Sequence, residues 1–365
     1  MAKARRRRSV LRVIIVAELV VALVTAATVV FAYNHLDSNI EAGPPIHHEN
    51  SKKPKAADEP HEPLNILLMG TDTRDCAGCR VDGEAGGGVS DTTILLHVAA
   101  DRKSAYGVSI PRDLLVDRPD CIVDGETIPG GEQVLWNDAF AAGGPSCTAQ
   151  QLESVFAPIY VDDYLTIDFG GFKDMVDAIG GVNVCIPQDL DDPEYTHAHF
   201  DAGDSVHLNG DEALAYVRLR HVLAGTDIGR MKRQQAFIAA MVNKVVSADT
   251  LSRPDKLYRF ASALTNSLQA SPDLASAGAL VDLAGELKNV DLTHIKFVTM
   301  PNFLYAEGTA GYPHVGLLPI HRRLVNQVVN DEPLGRFGGV LTANGPKKNP
   351  TEAQKAEAAA AGICS

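Results

Sequence analysis

The sequence predicts an α/β protein: a three-layer α/β/α sandwich with a mixed central sheet, preceded by one transmembrane helix. Runs of β-branched apolar residues alternate with segments of helical periodicity, which is typical of a sheet covered by helices on both faces. The composition, 45% apolar and 22% charged over 365 residues, is that of a chain with a packed core. Near the N-terminus, twenty consecutive residues contain one charged side chain, Glu18.

Residues 13–32 form an apolar stretch long enough to cross a membrane, since a helix rises about 1.5 Å per residue and the hydrocarbon core is about 30 Å thick. The twelve residues before it carry six basic side chains and no acidic one. The positive-inside rule therefore places them in the cytoplasm and the rest of the chain outside. A cleaved signal peptide is the alternative, but its apolar region usually has about 7–15 residues. We predict a single-pass protein of the cell membrane.

The remaining chain divides into a linker, one large domain and a tail. Residues 34–63 contain five prolines and no apolar periodicity, and the chain after about residue 344 is rich in Ala, Lys and Pro. The predicted segments are a cytoplasmic start (1–12), a transmembrane helix (13–33), an extracytoplasmic linker (34–63), a folded domain (64–335) and a flexible tail (336–365). Without the +6 of the first twelve residues, the net charge of −13 becomes −19, so we expect no nucleic-acid partner.

Local patterns predict the individual elements of the domain. Apolar runs rich in β-branched residues predict strands at residues 65–69, 92–99, 104–110, 164–169, 182–186 and 294–300. Helices are predicted at residues 148–156, after a Gly-Gly-Pro turn, and at residues 171–179. The clearest helix, residues 228–247, has a continuous apolar stripe. Pro254 and Pro272 stand at typical first-turn positions of two further helices.

Six cysteines fit a location outside the cytoplasm, where thiols oxidise to disulfides. Cys121 and Cys147 lie in one polar insertion, and we predict that they are paired. Cys76 and Cys79 form a C-x-x-C motif, but a structural zinc site would need a second pair at similar spacing.

The first three predicted strands bring two carboxylates and a guanidinium group to one sheet edge. Strand one ends just before Asp72, and strand two begins at Asp91 after a glycine-rich excursion. In a tight hairpin between strands two and three, Asp91 comes opposite Arg112. The simpler interpretation is that Asp72 and Asp91 cap turns and that Arg112 pairs with one of them.

A cluster of cations in the second half of the chain predicts an anion site. Arg218 and Arg220 are two residues apart, so an extended backbone would direct both side chains the same way. The long helix then opens with Arg230, Lys232 and Arg233, although cations oppose the helix dipole at an N-terminus. An anion bound there would explain them, because helix N-termini bind phosphate. A solvated surface patch is the alternative interpretation.

Carboxylates and arginines together predict a pyrophosphate site with a divalent metal ion. Mg²⁺ (or Mn²⁺) prefers oxygen ligands and commonly shares one or two carboxylates with substrate phosphates, which predicts Asp72 and Asp91 as its ligands. Arg side chains grip phosphate oxygens bidentately. The chain lacks the G-x-x-x-x-G-K-[ST] motif, which argues against a nucleoside triphosphatase.

Five segments in order resemble the motifs of the LytR-CpsA-Psr family: NILLMGTDTR (65–74), SDTT (90–93), SIPRD (109–113), ALAYVRLR (213–220) and DIGRMKRQQ (227–235). The resemblance covers residues 64–248 closely, and it identifies residues 64–335 as a catalytic domain. Two features depart from the family pattern: the loop that carries Cys76 and Cys79, and the insertion that contains Cys121 and Cys147.

The resemblance implies a glycopolymer-phosphate transferase. Members move a glycopolymer from a polyprenyl-pyrophosphate carrier to peptidoglycan through a phosphodiester bond, releasing polyprenyl phosphate. Carried over by position, Asp72 and Asp91 would hold the metal ion, and an apolar channel between sheet and helices would hold the polyprenyl tail. The implied catalytic residues are Arg112, Arg218, Arg220 and Asp227, and the implied pyrophosphate-binding residues are Arg112, Arg218, Arg220, Arg230, Arg233 and Gln234.

Two other functions fit the same residues. The first is a hydrolase that cleaves lipid pyrophosphates with water as the acceptor, and a transferase with pyrophosphatase side activity lies between the two. The second is a non-catalytic, membrane-tethered binding or regulatory protein. The transferred polymer could be a teichoic acid, an arabinogalactan-like polysaccharide or a capsule.

Overall fold

The computed structural model describes residues 2–48, 53, 61–71, 88–193, 196–219, 227–287, 290, 296–337, 341–342, 345–346, 352, 355, 358 and 363–364. The helices within these ranges are α1 Ala2–Asn39, α2 Asp138–Val155, α3 Phe169–Ala178, α4 Gly210–Arg218, α5 Asp227–Val246, α6 Ala248–Leu251, α7 Pro254–Asn266, α8 Ala277–Leu287 and α9 His321–Val329.

The strands in the described ranges comprise a central set and several short pairs. They are β1 Glu41–Ala42, β2 Leu64–Thr71, β3 Ser90–Val98, β4 Ala105–Ile110, β5 Leu115–Arg118, β6 Cys121–Val123, β7 Glu126–Ile128, β8 Gly131–Leu135, β9 Asp163–Asp168, β10 Val182–Ile186, β11 Leu190–Asp192, β12 Ala198–Phe200, β13 Gly203–Leu208, β14 Leu268–Ala270, β15 Lys296–Thr299, β16 Asn302–Leu304, β17 Val315–Leu317, β18 Leu341–Thr342 and β19 Gly345–Pro346.

The central sheet is mixed, as predicted. Its nine strands lie in the order β1-β14-β9-β2-β3-β4-β15-β18-β19. Strands β2, β3 and β4 form an antiparallel meander, whereas β9 and β15 run parallel to β2 and β4. The C-terminal ends of β2, β4, β9 and β15 therefore meet at one edge, called the carboxyl edge below. The tight turn between β3 and β4 lies at the opposite edge, called the hairpin edge.

Helices cover both faces of the sheet, which confirms the predicted three-layer architecture. On one face, Leu152 of α2 and Leu324 of α9 pack in one apolar core with Leu67 and Leu95 of the sheet. On the other face, Ala239 of α5 packs with Val98 and Phe297 of the sheet. Burial of these apolar side chains stabilises the sandwich by roughly 1.5–3 kcal/mol for each large residue.

Two predicted elements differ from the structure. The predicted strand at residues 182–186 has the predicted bounds, but it pairs with β13 in a separate two-stranded sheet. The prediction of a helix starting at Pro272 was wrong. The chain forms a turn there, with the Leu274 N–H donating to the Ser271 carbonyl oxygen at 2.9 Å. Helix α8 begins at Ala277 because the Ser276 hydroxyl accepts the Ala279 N–H at 3.1 Å and so caps it.

The N-terminal helix continues beyond residue 33 and is docked on the domain. Within it, Ile14–Asn39 is long and apolar enough to cross a membrane. The Asp37 carboxylate accepts the Ala277 N–H at 2.8 Å, and the amide of Asn39 lies 3.5 Å from the Thr265 hydroxyl. Strand β1 then joins the central sheet beside β14. Residues 41–42 of the predicted linker are thus part of the central sheet. The boundaries of the five predicted segments stay predictions.

Two disulfides lie within the described residues. Cys121 is bonded to Cys147, as predicted, and both are fully buried against the β6–β7 hairpin and α2. Cys185 is bonded to Cys364, so the C-terminal segment is tied to β10. The C-x-x-C motif of Cys76 and Cys79 lies outside the described residues.

A buried histidine joins the sheet to the C-terminal end of α9. His97 Nδ1 lies 2.8 Å from Asn65 Oδ1, and His97 Nε2 lies 2.9 Å from Asp331 Oδ1. The Asn65 amide nitrogen donates to the Tyr160 carbonyl oxygen at 2.8 Å, so its oxygen faces the imidazole. Each ring nitrogen therefore lies at hydrogen-bond distance from an oxygen atom, one of Asn65 and one of the Asp331 carboxylate. The hydrogen bond with His97 holds the pKa of Asp331 below its ordinary value.

Replacing Asp331 by Asn should destabilise the fold in a pH-dependent way. Because the pKa of Asp331 is lowered in the folded state, its carboxylate stabilises the fold above the ordinary aspartate pKa of about 4. That contribution is lost as the pH falls through the lowered value. We expect Asp331→Asn to lower the free energy of unfolding near neutral pH, and the difference from wild type to close progressively below about pH 5.

Urea unfolding of the two proteins across this pH range measures the difference. Asn also tolerates the left-handed backbone of this position (φ 57°), so the substitution changes mainly the charge. Asp282→Asn, at an exposed position of α8, is the matched control. A difference that stayed constant down to about pH 3 would contradict the account.

Candidate active site

The β3–β4 hairpin places Asp91 opposite Arg112, as the sequence predicted. The Ala99 N–H donates to the Ser104 carbonyl oxygen at 2.9 Å, and the register runs from the Val98–Ala105 pair to the Thr93–Ile110 pair. Two residues further on, Arg112 Nη1 donates to Asp91 Oδ1 at 2.7 Å. The Asp91 side chain is only 8% exposed, so the ion pair lies largely out of water at the carboxyl edge.

Arg218 is the last residue of a helix, so the predicted extended backbone at this residue was wrong. Asn209 and Glu212 form a capping box that starts α4, and the buried apolar face of α4 favours a helix. Leu219 then leaves the helical conformation. The Arg218 guanidinium group is buried and lies 4.7 Å from the centre of the Phe169 ring, in cation–π geometry.

The first turns of α5 bring further predicted residues to the same region. Arg230 and Arg233 are almost fully buried. Arg233 Nη2 donates to the Leu219 carbonyl oxygen at 2.5 Å, and the Gln234 side chain donates to the Val217 carbonyl oxygen at 3.3 Å. These two residues therefore hold the end of α4 against α5. Helix α4 in turn carries Arg218.

An apolar cavity of about 190 Å³ lies between the sheet and helices α3, α4 and α5. Its polar end is formed by Asp91, Arg218, Arg230 and Gln234. Its apolar walls come from the sheet and the helices and include Ile94, Leu165, Phe172, Met175, Phe237 and Met241. An anion with a long apolar tail matches this arrangement, because the cations meet its head and the walls exclude water from its tail. The cavity lies where the family resemblance implies an apolar channel, whereas Arg233 lies outside its lining.

Several residues that shape this site were not predicted from the sequence. Phe169 lies under the Arg218 guanidinium group, and Phe172 and Met175 form the apolar wall contributed by α3. Asp168 also lines the cavity, and its carboxylate accepts the Gly171 N–H at 2.7 Å, which caps α3. The sequence carried a signal for this cap, since an Asp before Phe-Gly-Gly at a strand end is typical of a helix start.

Three predicted site residues are not described, or are described only in their backbone. Asp72 lies outside the described residues, although the preceding residue, Thr71, pairs with Ser90 beside Asp91. Arg220 also lies outside them. Asp227 begins α5, but its side chain is outside the described part. Within the described residues, no group of three or more His, Cys, Asp or Glu side chains could hold a metal ion.

The described side chains still fit one part of a magnesium site. Asp91 supplies a buried carboxylate at the polar end of the cavity, and one of its oxygens is held by Arg112. A single carboxylate shared with substrate phosphates is a common arrangement for Mg²⁺. The donor chemistry of Asp91 therefore fits the ion that the sequence predicted.

Tyr216 is a buried hydroxyl close to this site. Burial raises the pKa of Tyr216 to about 12, with Arg233 opposing the shift. The phenol is therefore neutral at physiological pH, and it does not supply a base.

Comparisons with known proteins agree on one family and one fold. The model of the LytR_cpsA_psr family matches residues 30–313. The Bacillus subtilis polyisoprenyl-teichoic acid–peptidoglycan teichoic acid transferase TagV is 33% identical over 212 residues, which is 57% of this chain and 50% of that protein. The Corynebacterium glutamicum cell wall biosynthesis protein LcpA is 31% identical over 273 residues, or 68% of this chain and 51% of that protein.

Structural comparison gives the same result. The crystal structure of B. subtilis TagV has a TM-score of 0.54 and 25% identity, covering 74% of this chain and 96% of that chain. The enzyme from Actinomyces oris described as LytR-Csp2A-Psr also has a TM-score of 0.54, with 18% identity, covering 79% and 96%, and it shows the shared fold alone. The chain spans about half the length of the two curated relatives.

Replacing Arg218 by Lys should weaken binding of a short prenyl pyrophosphate. The substitution keeps the charge but loses both the planar fork and the stacking on Phe169. A hydrogen bond to a charged group contributes about 1.5–3 kcal/mol, so we expect the Kd to rise roughly tenfold or more. Isothermal titration calorimetry measures the change, with Arg322→Lys at an exposed position of α9 as the control. If Arg218→Lys, Arg322→Lys and the wild type bound the prenyl pyrophosphate with equal affinity, the pyrophosphate would not be bound by Arg218.

Proposed function

Because this chain belongs to the LytR_cpsA_psr family, we propose that it transfers a glycopolymer from a polyprenyl-pyrophosphate carrier to peptidoglycan. The observation that carries this proposal is the apolar cavity that ends in buried Asp91, Arg218 and Arg230. A polyprenyl pyrophosphate has the same two parts, an apolar chain and an anionic head. The printed name of TagV, which describes transfer of teichoic acid from a polyisoprenyl carrier to peptidoglycan, supports the same substrate class.

The proposed reaction exchanges one phosphorus–oxygen bond for another. A hydroxyl oxygen of the peptidoglycan acceptor attacks the phosphorus that carries the glycopolymer and forms the new phosphodiester bond. The bridging bond to the second phosphate breaks, and polyprenyl phosphate leaves with the bonding electron pair. The proton of the hydroxyl passes to a base. Water in place of the hydroxyl gives a slow pyrophosphatase side activity.

The arginines contribute by holding and neutralising the pyrophosphate. Arg218 and Arg230, with Arg220 in the same segment, donate to phosphate oxygens on which negative charge grows as the bridging bond breaks. Arg233 lies outside the cavity lining and instead holds the end of α4 through the Leu219 carbonyl oxygen. Arg112 holds the Asp91 carboxylate in place through the 2.7 Å ion pair. Gln234 donates to the Val217 carbonyl oxygen and so maintains the position of α4 and its Arg218.

A divalent ion, Mg²⁺ or Mn²⁺, completes the proposed site. Asp91 and Asp72 hold it, and when bound it neutralises charge on the pyrophosphate. Asp227 and Asp113 are the proposed bases for the acceptor proton. Asp113 lies next to the ion pair, with its carboxylate 3.3 Å from Arg112 Nε and its side chain 30% exposed, so an acceptor can approach it from solvent.

The proposed location is the cell membrane. The part of Ile14–Asn39 that precedes the domain contacts of Tyr33, Asp37 and Asn39 anchors the chain, the basic start stays in the cytoplasm, and the domain lies outside, where carrier lipid and peptidoglycan meet. This topology matches the partners that the reaction needs: the carrier-linked glycopolymer, the acceptor and the cytoplasmic membrane.

Transfer of label from lipid to peptidoglycan tests the proposed function. The full chain in nanodiscs is incubated with radiolabelled polyprenyl-pyrophosphate glycopolymer, peptidoglycan fragments and Mg²⁺. We expect labelled peptidoglycan, with loss of the product in EDTA. Asp91→Asn should lower the rate by about 10²–10³-fold, by analogy with removing one group that stabilises the transition state. Asp282→Asn, which is exposed, is the matched control.

Two other outcomes would contradict the transferase proposal. Release of free glycopolymer phosphate and polyprenyl phosphate at the same rate with and without acceptor would identify a hydrolase. Unchanged lipid that nevertheless binds to the chain would identify a binding protein.

A further inference from the structure

The anchor helix, α1, packs along one side of the domain before it leaves the domain surface. Asn39, at the C-terminal end of α1, contacts Thr265, near the C-terminal end of α7. Four residues apart on α1, Asp37 contacts Ala277 and Tyr33 lies beside Gly278, both at the start of α8. Helix α1 therefore descends from the carboxyl edge alongside α7 and α8.

Helix α7 has its N-terminal end on the side of the domain away from the carboxyl edge. Helix α3 begins at the carboxyl edge, directly after β9, and α7 packs against it in the opposite direction. Gly171, in the first turn of α3, adjoins Ser267 just after α7, and Gly180, just after α3, adjoins Lys256 in the first turn of α7. The start of α7 thus lies at the level where α1 leaves the domain.

Large apolar side chains are exposed at this level. Leu251 at the end of α6 is 55% exposed, Leu257 in the first turn of α7 is 41% exposed, and Val281 of α8 is 67% exposed. Tyr258 is also exposed, and its ring is of the kind that sits at membrane interfaces. These four residues, Leu251, Leu257, Tyr258 and Val281, are called the seating surface below.

Basic side chains outnumber acidic ones around Leu251, Leu257 and Tyr258 of the seating surface, although the body of the protein is strongly acidic. Residues 244–259 carry four cations and two carboxylates: Lys244, Arg253, Lys256 and Arg259 against Asp249 and Asp255. Each of the four cations is paired with Asp249 or Asp255, so the segment keeps a net charge of 4 − 2 = +2. Arg253 and Arg259 are nevertheless more than half exposed. Exposed apolar residues bordered by Lys and Arg are the pattern of a segment that lies on an anionic lipid surface.

We infer that the side chains of the seating surface insert into the interfacial region of an anionic phospholipid bilayer. The inference rests on the proposed membrane anchoring, because the anchor helix brings this side of the domain to the bilayer. Helix α1 enters the lipid beside the seating surface, so a single membrane surface can contact both α1 and the seating surface. The basic side chains extend to the lipid phosphates while Leu257 and Val281 enter the apolar boundary.

This orientation connects the bilayer to the cavity. Helix α5 begins at the carboxyl edge with Arg230 and runs toward α6, which carries Leu251. The apolar end of the cavity, with Met175 and Met241, therefore points toward the seating surface, and the arginines lie at the far end. A carrier lipid can pass its chain from the bilayer into the cavity while its pyrophosphate reaches Arg218 and Arg230.

Quenching of tryptophan by brominated lipid tests the seating surface. The full chain is reconstituted in nanodiscs of phosphatidylglycerol with brominated acyl chains, and single Trp substitutions are introduced at exposed positions. The one native tryptophan, Trp136, is fully buried and gives the same background in every variant. Val21→Trp, in the anchor helix, reports insertion. Leu304→Trp, which is 55% exposed on β16 beyond the carboxyl edge, is the matched control for exposure.

We expect Val21→Trp, Leu257→Trp and Val281→Trp to lose most of their emission, and Leu304→Trp to keep it. Quenching at Val21→Trp with full emission at Leu257→Trp and Val281→Trp would overturn the seating surface but leave the anchor intact. Full emission at Val21→Trp would overturn the anchor and the seating surface together. Equal quenching of Leu304→Trp would also overturn the inference, because the domain would then meet lipid on every side.

Discussion

The register of the β3–β4 hairpin is the constraint on which the candidate site depends. A shift of one residue would move Asp91 away from Arg112 and turn every side chain of β3 to the opposite face of the sheet. The observed register instead places the Asp91 carboxylate in a buried ion pair with Arg112 at the carboxyl edge. Removing one partner of such a pair costs several kcal/mol, because the remaining charge is left in a low-dielectric environment. The pair therefore fixes a carboxylate at the polar end of the cavity, where the proposed pyrophosphate and metal ion would lie.

The second feature of the site is that charged side chains lie at one end of an apolar cavity. Arg218 is buried on the ring of Phe169, and Arg230 is buried at the start of α5. In such surroundings a guanidinium group attracts an anion much more strongly than it would in water. An exposed cluster of arginines would also bind pyrophosphate, although more weakly, and it would not distinguish free pyrophosphate from a lipid-linked one. In the proposed function, the apolar walls contributed by α3 and α5 would select an anion that carries a long hydrocarbon tail.

Local patterns predicted most of this structure, and the rest depended on long-range pairing. The β2–β3–β4 meander and the ion pair followed from strand lengths and one tight turn, which are local. Strand β1 contains only Glu41 and Ala42, and its pairing with β14 depends on residues more than two hundred positions apart. Arg218 was expected in an extended segment because the motif was read for its two-residue spacing. The capping box of Asn209 and Glu212, six to nine residues earlier, gave the stronger signal. Phe169 was missed because no local pattern indicates which ring lies under an arginine.

A crystal structure of the chain with a short prenyl pyrophosphate and Mg²⁺ tests the central claim most directly. The account predicts pyrophosphate oxygens at charge-assisted hydrogen-bond distance, about 2.7–2.9 Å, from Arg218 and Arg230. It also predicts the metal ion on Asp91 and the prenyl chain along Phe237 and Met241. A pyrophosphate bound away from these arginines, or a prenyl chain outside the cavity, would contradict it.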